Sequence, residues 1–160
     1  VATRPAITDR VRPLTAGEVA LVAATFGDAI DPAPVTVRRA KFWAFHPWWV
    51  TMAPDGHLWF HPNGFDWRAD FSAASLGFQA HFLHEMTHVW QVQTGGSLVT
   101  RRLPLARYGY RLVPGKAFAA YGLEQQACIV ADAFLLAQGR DLPGRAALAD
   151  YRAVLPFTPG

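Results

Sequence analysis

The stretch HFLHEMTHVWQ, residues 81–91, gathers three of the chain's six histidines and one of its three glutamates into an apolar segment. Within it, His84-Glu85-Met86-Thr87-His88 has the pattern HExxH. On an α-helix, residues four apart lie one above the other, separated by about 6 Å of rise. Two imidazoles at that spacing can converge on a single metal ion. The glutamate beside the first histidine projects toward the same site without being a ligand. There it can take a proton from the attacking water and pass it to a leaving amine. The flanking residues agree with a helix. Phe82, Leu83, Met86, Val89 and Trp90 form an apolar stripe, and His81, His84, His88 and Gln91 a polar one. A solvated polar stripe would carry Lys, Glu or Arg; this one carries ligand chemistry.

A catalytic zinc site takes three protein ligands and keeps a fourth position open. Six residues after His88 stands Thr94, and no histidine follows His88. The third ligand is therefore sought among downstream carboxylates. Glu124 is the only glutamate after Glu85, in the segment YGLEQQACIVADAF. An antiparallel pair of helices would bring Glu124 to the histidines. Asp132, two turns later, is the competing ligand, or else a partner that orients one of the histidines.

Working outward, a helix is expected over 76–93, ending at Gly95-Gly96, and a second from 118 or 121 to 138, closed by Gly139. A short helix is expected over 145–155. Upstream, Thr15 and Glu18 form a capping box that starts a helix running to Phe26, and Gly27 can end it. VTVRR alternates as a strand does, with Val35 and Val37 on one face. Residues 48–52 and 57–60 read as a hairpin around Pro54-Asp55-Gly56. Residues 61–75 read as a loop, and 1–14 as an irregular lead-in punctuated by Pro5 and Pro13. Pro104 and Pro114 limit helix formation in 97–115. Helix, strands, then helices indicates an α+β chain with a small antiparallel sheet.

Composition sets the bounds. A chain of 160 residues, 51% hydrophobic with six tryptophans, can build one domain with its own core over 1–160. No run approaches the roughly 20 apolar residues of a membrane span. VATRPAITDR lacks the basic-then-apolar layout of a signal peptide. The lone cysteine, Cys128, excludes an internal disulfide and reads as a core residue. A net charge of +3 is spread along the chain. Its densest basic clusters, RRAK at 38–41 and RR at 101–102, read as solvated strand ends or loops. No nucleic-acid motif, internal repeat or low-complexity tract is present.

HExxH followed by a glutamate on a later helix resembles the gluzincin branch of zinc metallopeptidases. More specifically, LTAGEVALVAATFGDAIDP, VTMAPDGHLWFHP, HEMTHVWQ and YGLEQQA look like the bacterial proteins termed vgr-related, small predicted metallopeptidases similar to the HExxH peptidase domains of secretion-associated and polymorphic-toxin proteins. The similarity runs from about residue 14 to 138. It implies a zincin-like fold, with a Zn2+ cofactor held by His84, His88 and Glu124 and with Glu85 as catalytic base. It also implies a link to type VI secretion spikes. Thermolysin-like relatives carry an Asp four residues after the ligand Glu, where this chain has Cys128.

In such sites an edge strand precedes the HExxH helix and pairs with an extended substrate. The 48–60 hairpin occupies that place. Its Trp48, Trp49, Trp59 and Phe60 would be divided between subsites and core. An oxyanion donor is expected among Tyr108, Tyr110 and Tyr121, with Tyr121 and Tyr110 favoured. His57 and His61 read as structural histidines, and His81 as a residue supporting the site. The expectation is a zinc metallopeptidase acting on a peptide or protein, located in the bacterial cytoplasm or exported by a specialised secretion system. The alternatives are a non-catalytic zinc-containing adaptor or cargo of that system, and a secreted toxin paired with an immunity protein.

Overall fold

The computed structural model describes residues 10–95 and 107–158. RR at 101–102, Pro104 and most of the N-terminal lead-in lie outside these. The described residues are α+β: a four-stranded mixed sheet and four α-helices. The strands are β1 (Val11–Pro13), β2 (Thr36–Arg38), β3 (Thr51–Met52) and β4 (Leu58–Phe60). The helices are α1 (Ala16–Phe26), α2 (Leu76–Gln93), α3 (Leu123–Ala137) and α4 (Leu148–Val154). No described helix is long and apolar enough to cross a membrane.

α1 begins as its sequence dictates. Thr15 accepts a hydrogen bond from the Glu18 amide at 3.1 Å, and Glu18 reaches back to the Thr15 amide at 2.9 Å. Glu18 does more than cap. Fully buried, it accepts from the two terminal guanidinium nitrogens of Arg12 at 2.8 Å and from the Phe71 amide at 2.9 Å. One carboxylate thus ties β1, α1 and the loop before α2 together, each of its hydrogen bonds charge-assisted. Gly27 ends the helix at φ +56°. A Cβ there would come within 2.2 Å of the Thr158 carbonyl, so the chain's C-terminal segment packs against bare backbone.

The strand order is β1-β2-β4-β3. β3 and β4 form the expected hairpin, Thr51 opposite Phe60, around a turn in which Gly56 adopts φ +84°. The sheet departs from the expected antiparallel form, since β2 runs parallel to β4, with Val37 beside Leu58. The lead-in also departs from expectation, because residues 11–13 add an edge strand to β2. Pro13 is tolerated because β1 has a neighbour on one side only.

Val35, Val37, Leu58 and Phe60 are buried on the sheet's inner face. A column of rings then links sheet to helix: Phe60 stacks on Phe71, and Phe71 on Phe82, each at 5.2 Å between centroids. This column seats α2 on the sheet. α2 spans the residues its periodicity predicts, and α3 packs along its other side. Sandwiched in this way, α2 buries Met86 and Val89 together with the polar Glu85, His88 and Gln91.

Candidate metal centre

Contacts between α2 and α3 run in opposite directions along the two helices. His84 faces Cys128, His88 faces Glu124, and Gln91 faces Leu123. The pair is antiparallel, and Glu124, in the first turn of α3, is carried to the middle of α2. Its Oε2 lies 3.2 Å from His84 Nε2 and 3.1 Å from His88 Nε2. The three donor atoms lie within 4.8 Å of one another, and they form the one metal-competent cluster among the described residues. A tetrahedral ion with bonds of about 2.0–2.1 Å holds its ligand atoms about 3.3 Å apart, and the two histidine–carboxylate spacings match that.

The neighbouring hydrogen bonds test whether a cation fits. Gln91 Nε2 donates to the Leu123 carbonyl at 3.0 Å and to Gln126 Oε1 at 2.9 Å. Its oxygen is thereby turned toward His88 Nδ1, 2.8 Å away, which must donate. With Nδ1 committed to Gln91, His88 Nε2 is the nitrogen turned to the carboxylate oxygen, 3.1 Å away. A metal between them would use one lone pair of each, so the donor set fits a metal. On the other imidazole, with Nε2 turned to the cluster, Nδ1–H faces Cys128 Sγ at 3.9 Å, a weak acceptor. Burial, with the carboxylates of Asp132 and Glu124 adding to it, pushes the Cys128 thiol up to about 11.

These orienting partners differ from expectation. Asp132 is neither ligand nor histidine partner: it accepts from the Tyr110 hydroxyl and pairs with Arg145 Nε at 3.0 Å. Cys128, expected in the core, holds the position where related sites place an Asp. Gln91 was legible as part of the polar stripe, but not as the group that fixes the His88 tautomer. Gln91→Leu is expected to weaken zinc affinity by about 10–100-fold. Competition against a chromophoric chelator measures this, and an unchanged affinity would show that Gln91 only packs.

Glu85 is 4% exposed, and its Oε2 has no hydrogen-bond partner among the described residues. It lines a cleft of about 500 Å³ together with His84 and Glu124. One wall is the edge strand β3 with the residue before it, Val50 and Thr51; another is His81, bonded to Thr51 Oγ1 at 3.0 Å. Tyr108 also lines the cleft, its ring nearly parallel to His84 at 6.4 Å.

The favoured tyrosines are held elsewhere. Tyr121 sits in extended backbone just before α3, so helical spacing to Glu124 does not apply to it. Its hydroxyl accepts from the Val113 amide at 2.9 Å. Tyr110 donates to Asp132 and contacts the Tyr151 hydroxyl at 2.8 Å. Burial and the bond to Asp132 raise its pKa. Of the remaining histidines, His57 bonds Thr36 Oγ1 at 3.0 Å, and His61 accepts from the Asn63 amide at 3.1 Å. Both act as loop braces. Burial, with Arg38 nearby, lowers the His57 pKa.

No family profile matches the chain. It is 41% identical over 134 residues to the type VI secretion system spike protein VgrG2b of Pseudomonas aeruginosa, an alignment covering 78% of this chain and 13% of that protein. The chain thus spans a small part of the curated relative's length. Its fold matches the solved effector domain of Pseudomonas aeruginosa VgrG2b with a TM-score of 0.74 and 37% identity, over 89% of this chain and 80% of the domain. This chain belongs to the family of the VgrG2b effector domain. The family accounts for the resemblance to vgr-related proteins, and the α2–α3 cluster lies within a fold shared with that domain.

Proposed function

We propose that this chain is a secretion-system effector module that hydrolyses peptide bonds at a zinc ion held by His84, His88 and Glu124. Membership of the VgrG2b effector family supports an effector or cargo role linked to a secretion spike, and with it export by that route. The peptidase reading rests on one observation. Two imidazole nitrogens converge on one carboxylate oxygen, beside a buried glutamate whose Oε2 has no hydrogen-bond partner among the described residues. Zinc in such a site supplies Lewis-acid polarisation of a carbonyl and lowers the pKa of water.

The chain's own residues supply the rest. Glu85 takes the proton of the attacking water and delivers it to the leaving amine. Gln91 and Cys128 hold the two imidazoles with Nε2 inward. The β3 edge, open on one side of the sheet, offers main-chain groups to an extended peptide, the arrangement of a zincin-like fold. Tyr108, at the cleft wall, replaces Tyr121 and Tyr110 as the tyrosine placed to stabilise an oxyanion.

The alternative is a non-catalytic zinc module. A structural zinc site is closed by four protein ligands. The described residues bring three donors together here, beside a cleft, which favours catalysis. The test is proteolysis of unfolded protein substrates by the purified chain. Activity is expected to vanish with a zinc chelator and to return when zinc is added back. A protein that holds one zinc per chain yet cleaves nothing in a denatured proteome would establish the adaptor or cargo reading instead.

A further inference from the structure

Residues 42–50 form a loop with an inverted polarity. Its one buried side chain is a histidine: His46 is 3% exposed, while Phe45 is 92% and Trp49 65% exposed. Trp43 and Trp48 are also about half exposed or more. The inversion is built in. His46 Nδ1 accepts from the Phe42 amide at 3.1 Å, and Nε2 bonds the Val50 carbonyl at 2.6 Å. A single imidazole therefore clamps both ends of the loop together, leaving the aromatic residues between them to project. The turn after β4 extends the patch. Gly64 lies so close to the Trp48 carbonyl that a Cβ would come within 2.7 Å, and this brings the exposed Phe65 ring to 5.9 Å from Trp48.

Soluble chains rarely leave a cluster such as Trp48, Trp49 and Phe65, with Trp43 and Phe45 exposed on the same loop, without a use for it. The charge beside it identifies the occupant. Arg38, Arg39 and Lys41 lead into the loop, and no carboxylate occurs between Asp31 and Asp55. Arg39 and Lys41 are exposed, and Arg68 bonds the Phe65 carbonyl at 2.7 Å. Asp66 is the one acid beside Phe65. Projecting Trp and Phe rings flanked by cations match the headgroup region of an anionic bilayer, where indole rings settle at the interface and Lys or Arg meet lipid phosphates. We propose that the 42–50 loop, with Phe65, is an interfacial docking patch for an anionic phospholipid membrane. Trp49 belongs both to this patch and to the wall of the metal cleft, so docking brings the cleft mouth to the bilayer surface. If the cleft hydrolyses peptides, as proposed above, its substrates are membrane-proximal chains.

The test is flotation of the whole chain with vesicles of mixed phosphatidylcholine and phosphatidylglycerol, and with vesicles of phosphatidylcholine alone. Tryptophan emission is recorded in parallel. The expected result is binding that is stronger to the anionic vesicles, weakens with salt, and shifts emission to the blue. Phe45→Ser and Phe65→Ser should each weaken binding by about tenfold while leaving the melting temperature unchanged, because the two rings are 92% and 77% exposed in the free protein. Lys41→Glu should weaken binding to the anionic vesicles only. No binding to either vesicle overturns the proposal. Sedimentation then separates a patch-dependent dimer from a monomer whose patch serves a soluble partner. Binding that both aromatic variants retain in full also overturns it. None of these readouts uses metal or hydrolysis, so failure here and failure of the peptidase reading are distinguishable.

Discussion

Glu85→Gln is expected to keep its zinc and to lose peptide hydrolysis by about a thousandfold. The substitution replaces one carboxylate oxygen by an amide nitrogen of similar size, so the packing of a residue only 4% exposed is preserved. What it removes is basicity. The carboxylate lines the cleft beside His84 and Glu124, and its Oε2 is engaged by no described residue. A carboxylate held that way is available to a water molecule, and a neutral amide cannot accept that water's proton. Glu85 is not one of the converging donors, so the metal content should not change. Paired measurements of zinc per chain and kcat on a cleavable peptide decide the matter. A variant with full zinc and full activity would remove Glu85 from the mechanism. Loss of both would mean that Glu85 supports the site structurally instead.

The sequence made the two helices and the three converging donors legible because their signals are local. The α2 periodicity runs unbroken from Leu76 to Gln93, and HExxH places two imidazoles on one face by helical spacing alone. Glu124 was singled out by a count, being the only glutamate after Glu85. Non-local pairing was harder to read. The parallel contact of Val37 with Leu58 depends on how the intervening loop folds, and nothing in either short strand specifies its direction. Pro13 reads as punctuation until β2 is seen beside it. The expected shared helix face of Tyr121 and Glu124 is absent for a definite reason: that spacing has meaning only inside a helix, and α3 starts at Leu123. Asp132 was misplaced because Arg145 and Tyr110, which occupy it, are distant in sequence from the metal motif.

Glu124→Ala should abolish stoichiometric zinc. Zinc-finger sites bind with about 10–16 kcal/mol over four ligands, so one ligand contributes about 2.5–4 kcal/mol, or two to three orders of magnitude in affinity. The geometry gives the loss a second signature, in stability. Without metal, Glu124 Oε2 still contacts both imidazoles, so a proton on either can bridge the pair, and removing the carboxylate costs some stability. Adding zinc at about 100 times the Kd should stabilise wild type by about 2.7 kcal/mol, while the variant should scarcely respond. The response to zinc in thermal melts, compared within each protein, therefore separates lost ligation from lost packing at α3. A variant that still binds zinc tightly and still melts higher with it would place the third ligand elsewhere. Asp132 could then serve only by giving up Arg145 and Tyr110, a rearrangement visible as a change in the environment of the Tyr110–Tyr151 pair.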